Sequence, residues 1–327
     1  MPSQPTSPLI LWLDQATTDL TPLVGGKGAN LGELMRAGFS VPNGFAITTT
    51  AFNQTIETNG LIDTIHSIES GIDYSDLGTL EIKAHEIQTF ILNARISPDL
   101  LSHLIDAFTS LDSSLVAVRS SATMEDSIAA SFAGQQNTYL NIRTSEECAN
   151  AVIHCWASLY EPRTIKYRFE KGLEALPVET GVVIQTMINS EVSGVMFTLD
   201  PISGNREMVA IEAIYGLGEP LVSGEITPDL YIVEKGSGQI YKQIISEQTW
   251  MLKANDINYT PDQPNNTQIS ISPSTQETPK LTRTQIRKLT QTAISIHNYY
   301  GMPQDIEWAI CENTLYILQS RPITTLK

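Results

Sequence analysis

The sequence predicts an α+β fold, on three observations. Apolar residues recur at helical spacing in Leu80–Leu92 and again over Glu146–Leu173, where Val152, Cys155, Trp156 and Leu159 share a face. Strand-like runs, SGVMFTLD, EMVAIEA and DLYIVEK, follow one another in the second half. The links between them are too short for helical crossovers, so antiparallel pairing is expected.

In chain order, Leu9–Leu13 reads as a first strand and Asp14–Val24 as a loop. GGKGANLGELMRAG, Gly25–Gly38, then opens a helix. Leu31, Leu34 and Met35 fall at helical spacing, Gly38 is placed to end it, and the leading glycines let backbone N–H groups face whatever lies at the helix start. Lys27 stands at that entrance, either solvated or against a phosphate. VPNGFAIT, Val41–Thr48, is a turn into a strand, and Ala51–Leu111 is helical scaffold with no chemical cluster.

In VAVRSSATMEDSIAASFAGQQNTYLNI, Val116–Ile142, a buried strand delivers Arg119 and then a train of small residues with hydroxyls, N–H groups and little bulk. A cation on such a platform suits an anion; an arginine paired with a surface carboxylate is the other reading. GVVIQTMI, Gly181–Ile188, is a strand interrupted by Gln185, whose amide needs a backbone or ligand partner. Lys253–Lys280 turns polar and is expected as an exposed loop. Thr282 with Gln285 forms a capping box for a helix running toward Tyr300, and DIEWAICENTLYILQSRPI reads as a hairpin.

Strand alternation lets Glu307, Gln319 and Arg321 share one face of that hairpin, with Asp305 on the face of Glu307. A carboxylate and an amide oxygen are hard ligands of the kind Mg2+ prefers, and an arginine matches phosphate oxygens. A Glu–Arg cross-strand ion pair explains two of the three residues without any ligand.

Composition narrows the partners. The 327 residues suffice for two domains, and 41% hydrophobic with 17% charged residues is ordinary for a soluble globular protein. A formal net charge of −16 argues against DNA, RNA and anionic membrane surfaces as partners. The N-terminal stretch has no basic region, and Leu9–Leu13 is too short for a signal or a span, so a cytoplasmic address is expected. Cys148, Cys155 and Cys311 form no CxxC pair and are expected as reduced, mostly buried thiols.

VGGKGANLGEL, VAVRSSATMEDSIAASFAGQQNTYLNI, SGVMFTLDPISG, YGLGEPLVSGEITPDLYIV and DIEWAICENTLYILQSRPIT together resemble the N-terminal ATP-binding domain of phosphoenolpyruvate synthase, pyruvate phosphate dikinase and rifampin phosphotransferase. The resemblance covers nearly the whole chain. It implies an ATP-grasp fold: an N-terminal subdomain, 1–185, and a C-terminal subdomain, 186–327, with the nucleotide in the cleft between them. It implies that Lys27, Arg119 and Arg321 are catalytic and bind phosphates, that the backbone at Gly134 approaches the triphosphate, and that Thr138 adds a polar contact. Gln185 would lie in the adenine region. Glu307 and Gln319 would bind Mg2+ and nucleotide, with Asp305 a weaker candidate.

The family's enzymes have two further parts, a phosphohistidine domain and an acceptor domain. His66, His85, His103, His154 and His297 lack the Gly/Thr-rich setting of a phosphohistidine loop. The leading expectation is therefore a phosphotransferase subunit that cleaves ATP to AMP and phosphate and phosphorylates a histidine on a separate protein, for transfer to a small-molecule acceptor. The alternatives are a stand-alone ATP-grasp kinase or ligase that releases ADP, and a non-catalytic nucleotide-binding module. Pyruvate binding is not expected here.

Overall fold

The computed structural model describes residues 7–122, 138–173, 178–255 and 265–323. Gly134 therefore lies outside the described residues. Backbone contacts divide the chain into two compact units: Met1–Gly32 with Asn43–Met187, and Glu33–Pro42 with Ile188–Lys327.

The first unit holds β1 (Ile10–Trp12), most of α1 (Thr21–Arg36), β2 (Gly44–Ile47), α2 (Thr49–Thr58), α3 (Ile62–Ser70), α4 (Leu77–Leu92), α5 (Pro98–Ser110), β3 (Val116–Ala122), β4 (Thr138–Ile142), α6 (Ser145–Ser158), α7 (Pro162–Glu170) and β5 (Thr180–Thr186). Its five strands pair antiparallel in the order β1-β2-β5-β3-β4. Side chains alternate across such a sheet, which gives its two faces different jobs. One face presents Phe45, Ile47, Val116, Val118, Val182 and Ile184 to the main core, beneath helices that contribute Phe52, Leu80, Ile87, Leu104 and Trp156. Burying an aliphatic or aromatic side chain there contributes ~1.5–3 kcal/mol each. Helix starts are set by local caps: Asp76 accepts from Gly78 N–H, Ser97 from Leu100 N–H before Pro98, and Thr144 from Glu147 N–H.

The second unit holds β6 (Val192–Phe197), β7 (Met208–Tyr215), α8 (Glu219–Val222), β8 (Asp229–Glu234), β9 (Ile240–Ile244), β10 (Trp250–Ala254), β11 (Asn266–Ser270), α9 (Pro273–Gln276), α10 (Arg283–Tyr300), β12 (Gln304–Cys311) and β13 (Thr314–Pro322). Six strands form an antiparallel sheet in the order β13-β12-β6-β7-β8-β9. Helix α10 starts at the expected capping box of Thr282 and Gln285 and stops at Gly301, whose φ of 67° ends the helix in the left-handed region. It lies against β6, β7 and β12. Met196, Ile211, Ile306 and Trp308 are buried on that side of the sheet. Gly194 makes the room Trp308 needs, since a Cβ there would stand 2.7 Å from the indole and 1.9 Å from the Glu212 carbonyl.

Two expectations need correction. The division expected at 185/186 falls two residues later, and Glu33–Pro42 belongs with the second unit. The physical ties are the Tyr299 hydroxyl donating to Glu33 and the Ile317 N–H donating to the Ser40 carbonyl. The stretch expected as an exposed loop, 253–280, carries β11 and α9. Its polar side chains gave no periodic signal, yet Asn266–Ser270 satisfies its backbone by antiparallel pairing with Trp250–Ala254. No helix among the described residues is long and apolar enough to cross a membrane. Cys148 and Cys155 are buried and Cys311 partly so; burial pushes the Cys148 thiol up to about 12 and raises that of Cys155.

Candidate nucleotide-binding site

In the first unit the second face of the sheet is built from small residues. Strand register places Ala46, Val183, Arg119 and Thr138 in one transverse row, with Gly44, Gln185 and Ala117 in the row on one side of it and Gly181 opposite Ser121 on the other. Arg119 and Thr138 are thus direct cross-strand partners, and Gln185 sits diagonally from Arg119 one strand away. Gln185 is 3% exposed, Arg119 is half-buried and Thr138 is exposed. Three candidates that are distant in sequence share one face.

Lys27 joins them through α1. The helix is broken at Gly25, where φ is 74° and ψ is 170°, and the second segment begins against β3. Lys27 is 6% exposed, and its Nζ donates to the Ser120 carbonyl at 2.8 Å. That carbonyl belongs to the residue after Arg119, so two cations are held next to one strand. The close approach demands glycine. A Cβ at Gly25 would lie 1.8 Å from the Ser121 carbonyl oxygen, and one at Gly181 would lie 2.6 Å from the Val24 carbonyl oxygen. The small residues after Arg119 therefore do two things: they leave space above the sheet and they seat the glycine-rich turn.

In the second unit the remaining candidates occupy the half-buried sheet face away from α10. Glu212, Val195, Glu307 and Gln319 form one row across β7, β6, β12 and β13; Ala210, Phe197, Asp305 and Arg321 form the next. Glu307 and Gln319 are direct partners, so their oxygens issue from adjacent strands ~5 Å apart. A bulge follows immediately, between Glu307 and Trp308. Arg321 takes Asp305 as its carboxylate, its Nη2 at 2.7 Å and its Nε at 2.8 Å from the same oxygen. Asp305 therefore orients the arginine.

Electrostatics on this face run against ionised carboxylates. Burial pushes the Asp305 carboxyl up, partly offset by Arg321, and Glu307 adds repulsion. Burial also raises Glu212, with the Asp305 charge a second cause. Carboxylates that are costly to ionise alone are relieved by a cation, and the oxygen donors here are of the type a hard divalent ion takes. Among the described residues no group of three or more His, Cys, Asp and Glu forms a ready metal cluster.

Sequence reasoning did not single out Glu212 or Ser121. The signal for Glu212 was present, because a glutamate inside the apolar run MVAIEAIY raises the same question as Gln185 inside GVVIQTMI. Ser121 was one of several small hydroxyl-bearing residues after Arg119, with nothing to set it apart from its neighbours.

Cations beside glycine, serine and alanine suit a polyanion, and the adjacent carboxylate and amide oxygens of the second unit suit a hard divalent cation. The chain belongs to the family of the pyruvate phosphate dikinase AMP/ATP-binding domain, which it matches over residues 21–327. It is 41% identical over 323 residues to a probable phosphoenolpyruvate synthase of Archaeoglobus fulgidus, covering 97% of this chain and 42% of that protein. It is 40% identical over 326 residues to a probable phosphoenolpyruvate synthase of Methanocaldococcus jannaschii, covering 97% and 27%. It is also 39% identical over 308 residues to a rifampicin phosphotransferase of Bacillus cereus, covering 93% and 34%. The chain spans less than half the length of each of these relatives.

Proposed function

We propose that this chain is the ATP-handling part of a phosphotransferase of ATP-grasp type. It cleaves ATP to AMP and phosphate, with uptake of one water, and passes the remaining phosphoryl group to a histidine on a separate protein. The observation that carries this reading is the family match over 21–327 combined with the gathering of Lys27, Arg119, Thr138 and Gln185 on one sheet face. Lys27, Arg119 and Arg321 bind phosphate oxygens, with Thr138 adding a polar contact, and Gln185 contacts the adenine; the family resemblance assigns the Gly134 backbone to the triphosphate as well. Glu307 and Gln319 hold Mg2+, which supplies charge neutralisation at the phosphates. Phosphoryl transfer asks a protein mainly for positioning and fixed charge, and these side chains supply both. Arg321 is held in place by Asp305, so it meets the phosphate pre-oriented.

An acceptor outside this chain fits the histidines present. His66, His85, His103 and His154 are exposed on α3 to α6 and His297 is half-buried on α10, so all five stand on helices rather than in a glycine-rich loop. The ultimate acceptor is a small molecule bound elsewhere.

Nucleotide product analysis tests the reading. Purified protein is incubated with Mg-ATP, alone and with lysate of its source, and AMP, ADP, phosphate and pyrophosphate are resolved. AMP with phosphate that appears only with lysate is the expected result. ADP with phosphate from the protein alone overturns it in favour of direct kinase or ligase chemistry.

A further inference from the structure

A serine hydroxyl stands inside the backbone ladder of α1. In an uninterrupted α-helix the N–H of Gly28 would bond the carbonyl of Val24. Gly25 breaks the helix between them. The Ser121 hydroxyl takes both halves of that bond, accepting from the Gly28 N–H at 3.1 Å and donating to the Val24 carbonyl at 2.8 Å. Insertion of a side chain into the ladder is a recognised cause of a kink, and here the inserting group comes from a strand 93 residues further on.

The geometry leaves little latitude in the residue. Ser121 is fully buried, and its Oγ stands 2.3 Å from where a Cβ on Gly25 would be. Alanine lacks the hydroxyl that both donates and accepts, and threonine adds a methyl to a closed space. One residue back along the strand, the Ser120 carbonyl accepts from Lys27. Strand β3 thus grips the glycine-rich turn at two consecutive residues, and Arg119, on the face of Ser121, precedes them.

We propose that Ser121 is a positioning residue for the triphosphate of a nucleotide: its hydroxyl fixes the Gly25–Gly28 turn and thereby holds Lys27 beside Arg119. The proposal rests on the reading that Lys27 and Arg119 bind nucleotide phosphates. It extends that reading to a residue that touches no ligand and acts through Lys27 alone.

A double-mutant cycle on the full chain tests it, with Mg-ATP affinity read by calorimetry for the unchanged protein, Ser121→Ala, Lys27→Ala and the double variant, and a melting curve for each. Ser121→Ala is expected to weaken ATP about tenfold, the effect of losing a buried hydrogen-bond pair. Added to Lys27→Ala it should weaken ATP no further, because its route of action is already gone. A general loss of structure would instead add its cost in either background. Additive losses, or unchanged affinity in Ser121→Ala, overturn the proposal. Absence of ATP binding by the unchanged protein overturns the nucleotide reading itself, and the positioning role with it. Should Ser121→Ala fail to fold, Ser121→Cys keeps the shape with a weaker bridge and is expected to lose affinity with its melting point retained; affinity equal to that of the unchanged protein overturns the role.

Discussion

The two units solve opposite electrostatic problems on sheets built alike. In the first, the open face carries Arg119 in a row with Ala46, Val183 and Thr138, and Lys27 donates to the Ser120 carbonyl beside it. In the second, the open face carries Asp305, Glu307 and Glu212 with one arginine, and two of these carboxyls are pushed up by burial. The first face is marked by what it lacks, namely bulk. The second carries carboxyls that burial makes costly to ionise, a cost that a nearby cation would lower. A chain with a net charge of −16 can bind a polyanion only by such local separation of its charges.

The sharpest test of that contrast compares one residue from each face. Arg119→Ala and Glu307→Ala are each expected to lower turnover at least ~100-fold, the scale of removing a group that faces developing charge or its metal. Only Glu307→Ala should raise the Mg2+ concentration needed for half-maximal ATP binding, because the proposed function assigns the metal to Glu307 and Gln319. Equal shifts in both variants would erase the distinction. Both proteins should keep the melting point of the unchanged chain within ~2 °C, since neither side chain belongs to an apolar core.

A second comparison concerns glycine. Gly25 and Gly224 share nearly the same φ, 74° and 77°, but a Cβ at Gly25 meets the Ser121 carbonyl at 1.8 Å while one at Gly224 meets nothing within 4 Å. Gly224→Ala should cost only the left-handed penalty, ~1–2 kcal/mol. Gly25→Ala adds the displacement of β3 from α1 and should cost ~3 kcal/mol or more. Urea midpoints followed by circular dichroism decide between a shared and a position-specific cost.

These differences were unevenly legible in the sequence. Periodicity within one strand shows which residues share its face, and alternation alone aligned Glu307 with Asp305 and Gln319 with Arg321. What it does not show is which strand lies next, or in what register. That is why the sequence set Arg321 against Glu307 and not against Asp305, its direct cross-strand neighbour, and why Glu212, two strands from Glu307, stayed out of view. The capping box at Thr282 and the helix-ending Gly38 were local signals and needed no partner. Strand β11 was hidden because its polar residues lie on a small two-stranded sheet with little to bury. Ser121 was hidden for another reason: its role is a bridge between atoms of Val24 and Gly28, and no pattern in either segment announces the other.

The smallest expected effect isolates the tension on the acidic face. Burial holds the Glu212 carboxyl above its ordinary value in the folded protein, so the folded state binds more protons than the unfolded state between the two values. Stability attributable to this group is thus greatest when it is protonated and falls as pH rises through that window. Glu212→Gln removes the penalty without removing the side chain's volume. The variant should melt ~2 °C above the unchanged protein at pH 7 without divalent ions, and the gap should close below about pH 4, where the glutamate is protonated in both states. Adding Mg2+ at pH 7 should narrow the gap from the other side, because the ion stabilises the ionised face of the unchanged protein more than that of the variant. A gap that is indifferent to both pH and Mg2+ would mean that Glu212 is merely a tolerated polar residue, and the face would then rest on Asp305 and Glu307 alone.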